Sequence, residues 1–139
     1  MQTSGLLWIK KHGKNSTQKD RSEVPQAGEV YLTALDPKLG NEIQKSRPAL
    51  IIQNDVSNRL THITIVAPIT STVRFPLNPV HVLLSADQST GLSVVSVALL
   101  NQIRAVDKRR LIRRLGAVDV ETMDKVDEAI SISLGLVKL

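Results

Sequence analysis

The spacing of apolar residues divides the chain into two regimes. From Gly28 to Val106 they come in short runs rich in Val, Ile, Leu and Thr, cut by Asp, Asn, Gly and Pro, which is the pattern of strands and turns. The runs place strands at Gly28–Leu35, Ala49–Gln53, Thr61–Thr70 and His81–Ser85, with Ser96–Leu100 and Gln102–Val106 readable as one bent strand or two. In the third run the β-branched Ile63-Thr64-Ile65-Val66 leads to Pro68, which lacks a ladder donor. Residues 36–47, with Pro37 and Gly40, and residues 71–79, with Arg74, Pro76 and Pro79, read as long loops, and Asn54–Asn58 as a polar turn. From Val120 the period changes. Met123, Val126, Ile130, Leu134 and Val137 recur at spacings of three and four, with Asp119 placed to cap the N-terminus and Glu121 in the first turn. That spacing predicts an amphipathic helix, and Arg109–Arg114 reads as a shorter helical piece before it.

Many short strands with no long helix between them predict a mainly β (β+α) fold: a small, mostly antiparallel barrel covered by a C-terminal amphipathic helix. Residues 1–26 are polar and lysine-rich without a sustained period, so they bury too little apolar surface to order themselves. They are expected to form a flexible basic arm ahead of one domain at residues 27–139.

Composition narrows the setting. A chain of 139 residues suits a single domain with its own core. It has no cysteine, which removes disulfides, thiolate metal sites and cysteine nucleophiles and fits a reducing, cytoplasmic compartment. The apolar run Leu6–Ile9 is too short for a signal-peptide core or a membrane span, so no membrane association is expected. The net charge of +5 is uneven: residues 1–26 carry five basic residues against Asp20 and Glu23, a net of +3, which leaves +2 for the rest. Within that remainder, Arg104–Arg114 packs six cations around one carboxylate, Asp107. Such a block either attracts polyanions by counterion release or is a solvated face.

The chemistry on offer is limited. His12, His62 and His81 are isolated, and no histidine pair sits at helical ligand spacing beside a carboxylate, so neither a metal nor another cofactor is expected. A nucleophile elbow and a phosphate-cradling glycine loop are absent. Phosphate chemistry remains open, because an arginine can stabilise charge on a phosphoryl centre while a hydroxyl donates to it. Arg47 precedes the second strand and Thr70 ends the third. If a hairpin through residues 54–60 makes those strands antiparallel, the two side chains meet at one rim. The plainer readings are a surface ion pair of Arg47 with Glu42 or Asp36, and a strand-end cap by Thr70.

Gly28-Glu29-Val30-Tyr31, Leu35-Asp36-Pro37, Gly40-Asn41-Glu42, Arg47–Asp55, Val66–Ser71, Ser96–Arg104 and Met123–Leu136 follow one another in an order that resembles the MazF/PemK toxins of bacterial toxin–antitoxin modules. The similarity runs from residue 28 to residue 136. It implies an SH3-like or CcdB-like barrel, assembled as a homodimer, that cleaves single-stranded RNA without a metal and is neutralised by a MazE-like antitoxin laying an acidic, disordered tail over the RNA groove. It places the family's catalytic arginine at Arg47, its catalytic threonine at Thr70 and its loop glutamate at Glu42, and assigns Gln102 and Arg104 to RNA binding. Asn41, Arg74 and Asn78 follow as further RNA-binding candidates on the two long loops. Phe75 either stacks on a base or packs on the barrel. The chain departs from the common pattern at Ala27, Asn41 and Asn101, where many members have Arg, Ser and an acidic residue.

The implied reaction is attack of a ribose 2′-OH on the adjacent phosphate, giving 2′,3′-cyclic phosphate and 5′-OH ends, which also explains a preference for RNA over DNA. Two other classes stay open. A CcdB-like poison of DNA gyrase would share the fold, but those toxins rely on a C-terminal Trp-Gly-Ile, whereas this chain ends Leu136-Val137-Lys138-Leu139 and has its one tryptophan, Trp8, in the arm. A barrel that binds nucleic acid without cutting it is the other.

Overall fold

The computed structural model describes residues 24–35 and 46–137. Most of the basic arm, and Asp36, Asn41 and Glu42, lie outside these. Residues 24–26 already touch the domain: Pro25 is buried, and the Gln26 backbone N–H donates to the Glu29 carboxylate.

Seven strands form one sheet in which every pairing is antiparallel. They are β1 (Glu29–Ala34), β2 (Ser46–Ile51), β3 (Ile63–Thr70), β4 (His81–Leu84), β5 (Ser96–Leu99), β6 (Arg104–Asp107) and β7 (Leu111–Ala117). The spatial order is β4-β5-β3-β2-β1-β7, with β6 also on β3. The run from Ser96 to Asp107 is two strands with a break between them, and both lie along β3: Thr70 pairs Val97, and Val66 pairs Arg104.

Strands β1, β2 and β3 read as continuous apolar runs because both their faces are buried. Val30, Leu50 and Ala67 are successive cross-strand partners and belong to one core, which helix α2 (Val120–Ser133) covers with Val126 and Ala129. Their neighbours Tyr31, Ala49, Ile51 and Val66 face a second core with Val106. The central strands are thus a wall between two apolar compartments.

Four expectations need correction. The barrel does not close, because β4 and β7 remain the two ends of the sheet. The polar turn after β2 is a short helix, α1 (Asp55–Leu60): the Asn54 side chain caps it by accepting from Ser57 N–H, and buried Asn58 accepts from the Thr64 hydroxyl at 2.7 Å and donates to the Gln53 carbonyl at 2.9 Å. Of Arg109–Arg114 only Arg109 and Arg110 are helical, in a 3-10 turn at Lys108–Arg110 that leads straight into β7, whose pairing with β1 overrides local helical preference and leaves Arg113 and Arg114 exposed. Helix α2 starts as expected at Asp119, whose carboxylate accepts from Thr122 N–H, but it stops at Ser133. Gly135 turns the chain with φ +74, and Leu134 and Leu136 are left exposed.

Candidate active site

The β2–β3 ladder pairs Ala49 with Pro68, Leu50 with Ala67 and Ile51 with Val66. Continuing that register by two residues sets Arg47 opposite Thr70, where both strands end. On its other side β2 is held by β1, with Arg47 paired to Thr33. Pro48 fixes the backbone between the exposed Arg47 and the fully buried Ala49. The guanidinium is therefore mounted on the rigid wall of the sheet. One of its N–H groups donates to the Ser46 carbonyl at 3.1 Å, and no carboxylate among the described residues pairs with it. Thr70 is half-buried, and its hydroxyl oxygen accepts from Thr72 N–H at 3.2 Å. That bond uses a lone pair, so the hydroxyl proton is still available to donate.

Arg47 and Thr70 line one cleft of about 490 Å³ together with Leu35, Pro48, Pro68, Ile69, Ser71, Gly91, Leu92, Ser93, Val94, Ser96, Leu99 and Leu115. Much of one wall comes from the connection between β4 and β5, a contribution the sequence reading did not anticipate. Asp87 accepts from Thr90 N–H at 2.9 Å, and the buried Thr90 hydroxyl donates to the Ser85 carbonyl at 2.7 Å. The turn then drives Gly91 against β7. A Cβ on Gly91, whose φ is +73, would lie 2.0 Å from the Leu115 carbonyl oxygen, and one on Gly116 would lie 2.2 Å from that of Ser89. With Ala117 N–H donating to Ser89 at 2.7 Å, this connection fills the gap between β4 and β7 that the sheet leaves open. An Asp-x-x-Thr-Gly run signals a tight turn, but nothing local says that it lands beside Arg47.

The other predicted residues are more scattered. Arg104 opens β6, and its guanidinium donates at 2.9 Å to the carbonyl of Leu35, a cleft residue, so it sits behind the rim. Gln102 is exposed in the turn between β5 and β6. Arg74, Phe75 and Asn78 are exposed in the 71–79 loop, and none lines the cleft. Asn78 shapes its own turn, accepting from Val80 N–H at 3.0 Å. Phe75 is 73% exposed, which rules out the reading in which it packs on the barrel. Asn41 and Glu42 lie outside the described residues.

The basic block is largely tied into the fold. Arg109 pairs with Asp107 and holds that carboxyl down at about 2, Arg114 pairs with Glu29, Arg110 donates to the Ala34 carbonyl, and Lys108 donates to that of Asn58. The Arg114, Arg110 and Lys108 bonds fasten β7 and the turn before it to both ends of β1 and to α1, whereas the Arg109–Asp107 pair is local and exposed.

Fold and site define a small antiparallel β protein with a cationic, hydroxyl-bearing cleft at one rim of its sheet. A family model described as the PemK-like, MazF-like toxin of type II toxin–antitoxin systems matches residues 26–134, and the chain belongs to that family. It is 44% identical over 114 residues to the endoribonuclease EndoA of Bacillus subtilis, covering 82% of this chain and 97% of that protein. Among solved structures it resembles a mycobacterial endoribonuclease in complex with its cognate antitoxin, at a TM-score of 0.67 and 26% identity, covering 83% of this chain and 99% of that one. It also resembles MazF of Deinococcus radiodurans, at 0.64 and 28%, covering 81% and 97%. Among the described residues no helix is long and apolar enough to cross a membrane.

Proposed function

We propose that this toxin is a sequence-specific, metal-independent endoribonuclease of the bacterial cytoplasm that cuts single-stranded RNA as a homodimer and is silenced by a MazE-like antitoxin. The observation that carries the reading is that Arg47 and Thr70 line one cleft at the same end of the β2–β3 pair, whose register, carried on by two residues, sets them opposite each other. The attacking group belongs to the substrate: the ribose 2′-OH displaces the 5′ oxygen of the next nucleotide, leaving 2′,3′-cyclic phosphate and 5′-OH ends. Arg47 offsets the extra negative charge on the pentacoordinate phosphate, and Thr70 donates its hydroxyl to a non-bridging oxygen. A guanidinium carries N–H donors and no acceptor, so the 2′ proton goes to another group. Glu42, the loop carboxylate that the family resemblance adds to the site, is one candidate for that step and is otherwise an RNA contact. Gln102, Arg104, Arg74, Asn78, Asn41 and Phe75 serve as surrounding RNA contacts.

The test incubates wild type and Arg47→Ala with mixed-sequence single-stranded RNA in excess EDTA and identifies the fragment ends. Discrete cuts ending in cyclic phosphate are expected, reduced about 10²–10³-fold in the variant. A 2′-deoxy residue at the cut site is expected to stop cleavage. Cutting of the deoxy substrate, or full activity of Arg47→Ala, would refute the mechanism.

A further inference from the structure

Of the 71–79 loop, where the family resemblance places the RNA-binding candidates Arg74, Phe75 and Asn78, only Ser71 lines the cleft, whereas Gly91-Leu92-Ser93-Val94 lines it as a continuous run. The cleft is also without an aromatic platform: Tyr31 is buried in the second core and Phe75 projects elsewhere. A nucleotide whose phosphate sits between Arg47 and Thr70 must therefore rest its base on what remains. That is an apolar surface of Leu35, Pro48, Pro68, Leu92 and Val94. Val94 is 52% exposed, so its methyl groups are open to apolar contact with the face of a base. Next to it, Ser93 is exposed, and its hydroxyl makes no hydrogen bond among the described residues, while the Ser96 hydroxyl already donates to the Val94 carbonyl at 2.9 Å. A free hydroxyl can donate to or accept from the edge of a base, and next to an apolar face it completes the chemistry of a base site. The segment is held before Leu92 by the Asp87–Thr90 turn and the contact of Gly91 with Leu115, and after Val94 by the Ser96 hydroxyl at the start of β5.

We infer that Ser93 and Val94 form a base-reading wall of the cleft, with the Ser93 hydroxyl bonded to the edge of one base of the bound single-stranded RNA and Val94 against its face. The inference rests on the ribonuclease reading but fails separately from it. Wild type and Ser93→Ala, an exposed substitution that leaves the core intact, are given a randomised single-stranded RNA pool in EDTA, and cuts are mapped by sequencing. The expected result is unchanged cyclic-phosphate ends, a 5–10-fold loss in kcat/KM on the preferred motif and a relaxed preference at one position of it, the size of one lost hydrogen bond (~5–10-fold). Cutting by both proteins with the same motif and kcat/KM within about twofold overturns the inference and leaves the ribonuclease standing. If wild type binds the pool without cutting it, the ribonuclease reading falls and the affinity of Ser93→Ala decides: a similar loss upholds the wall, no loss overturns it. If wild type neither binds nor cuts, both fall.

Discussion

Tyr31 sits among Ala49, Ile51, Val66 and Val106 with a phenolic oxygen that has no hydrogen-bond partner among the described residues. Burial, reinforced by the Glu29 carboxylate, pushes this phenol up from 10.0 to about 12. The folded chain thus holds the proton more tightly than the unfolded one. The associated stability is complete below pH 10 and drains as pH rises from about 10 to about 12, by about 2–3 kcal/mol in all. Tyr31→Phe removes both the orphaned hydroxyl and the titration. It is expected to raise stability by about 1 kcal/mol at pH 7 and to abolish the loss between pH 10 and 12, as read by thermal melts across that range. A destabilised Tyr31→Phe at pH 7 would mean that the hydroxyl has a partner in solution. At this scale Arg47 and Thr70 were legible because both sit on one local hairpin, and antiparallel pairing alone brings its ends together. The role of Arg104 was less so: no pattern in the sequence shows that its guanidinium reaches the Leu35 carbonyl.

Among elements, the legible ones were those whose burial follows a period. Strands β1 to β3 and helix α2 carry their cores in the pattern of Val, Ile and Leu, and their ends shifted by only a few residues. Strand β7 was hidden because three successive residues, Ile112, Arg113 and Arg114, are exposed, which breaks the alternation of a half-buried strand, and only its pairing with β1 makes it a strand. The β4–β5 connection was hidden for a related reason, since its position depends on backbone contact with a strand much later in the chain. Glycine substitutions separate that contact from simple backbone preference. Gly91 and Gly135 share a left-handed φ, +73 and +74, but a Cβ on Gly91 meets the Leu115 carbonyl at 2.0 Å whereas one on Gly135 meets nothing within 4 Å. Gly135→Ala is expected to cost about 1 kcal/mol, and Gly91→Ala about 2 kcal/mol more, measured as shifts in urea midpoint at constant slope. Equal costs would show that the connection yields easily and does not hold the cleft wall in place.

For the whole molecule, the distribution of charge matters more than its sum. Although the net charge is +5, Arg109 and Arg114 are paired to carboxylates, and Lys108, Arg104 and Arg110 are bonded to backbone carbonyls. A bond to a carbonyl leaves a cation its charge but fixes its head group, so RNA binding should engage about two or three phosphates, at Arg47, Arg74 and Arg104. With uncleaved, 2′-deoxy-blocked RNA, the logarithm of affinity is expected to fall against that of salt with a slope of about −2 or shallower. A slope near −4 or steeper would mean that the block opens to bind the backbone. The seam between β4 and β7 bears on how such a protein can change over time. Its fit is made by main chain against main chain at Gly91 and Gly116, so the frame tolerates almost no side chain there, while the neighbouring Ser93, Val94 and Val95 are exposed and outside the buried cores. Substitutions can accumulate at that tip without cost to folding, so new RNA targets could be acquired by altering a few exposed residues on an unchanged scaffold.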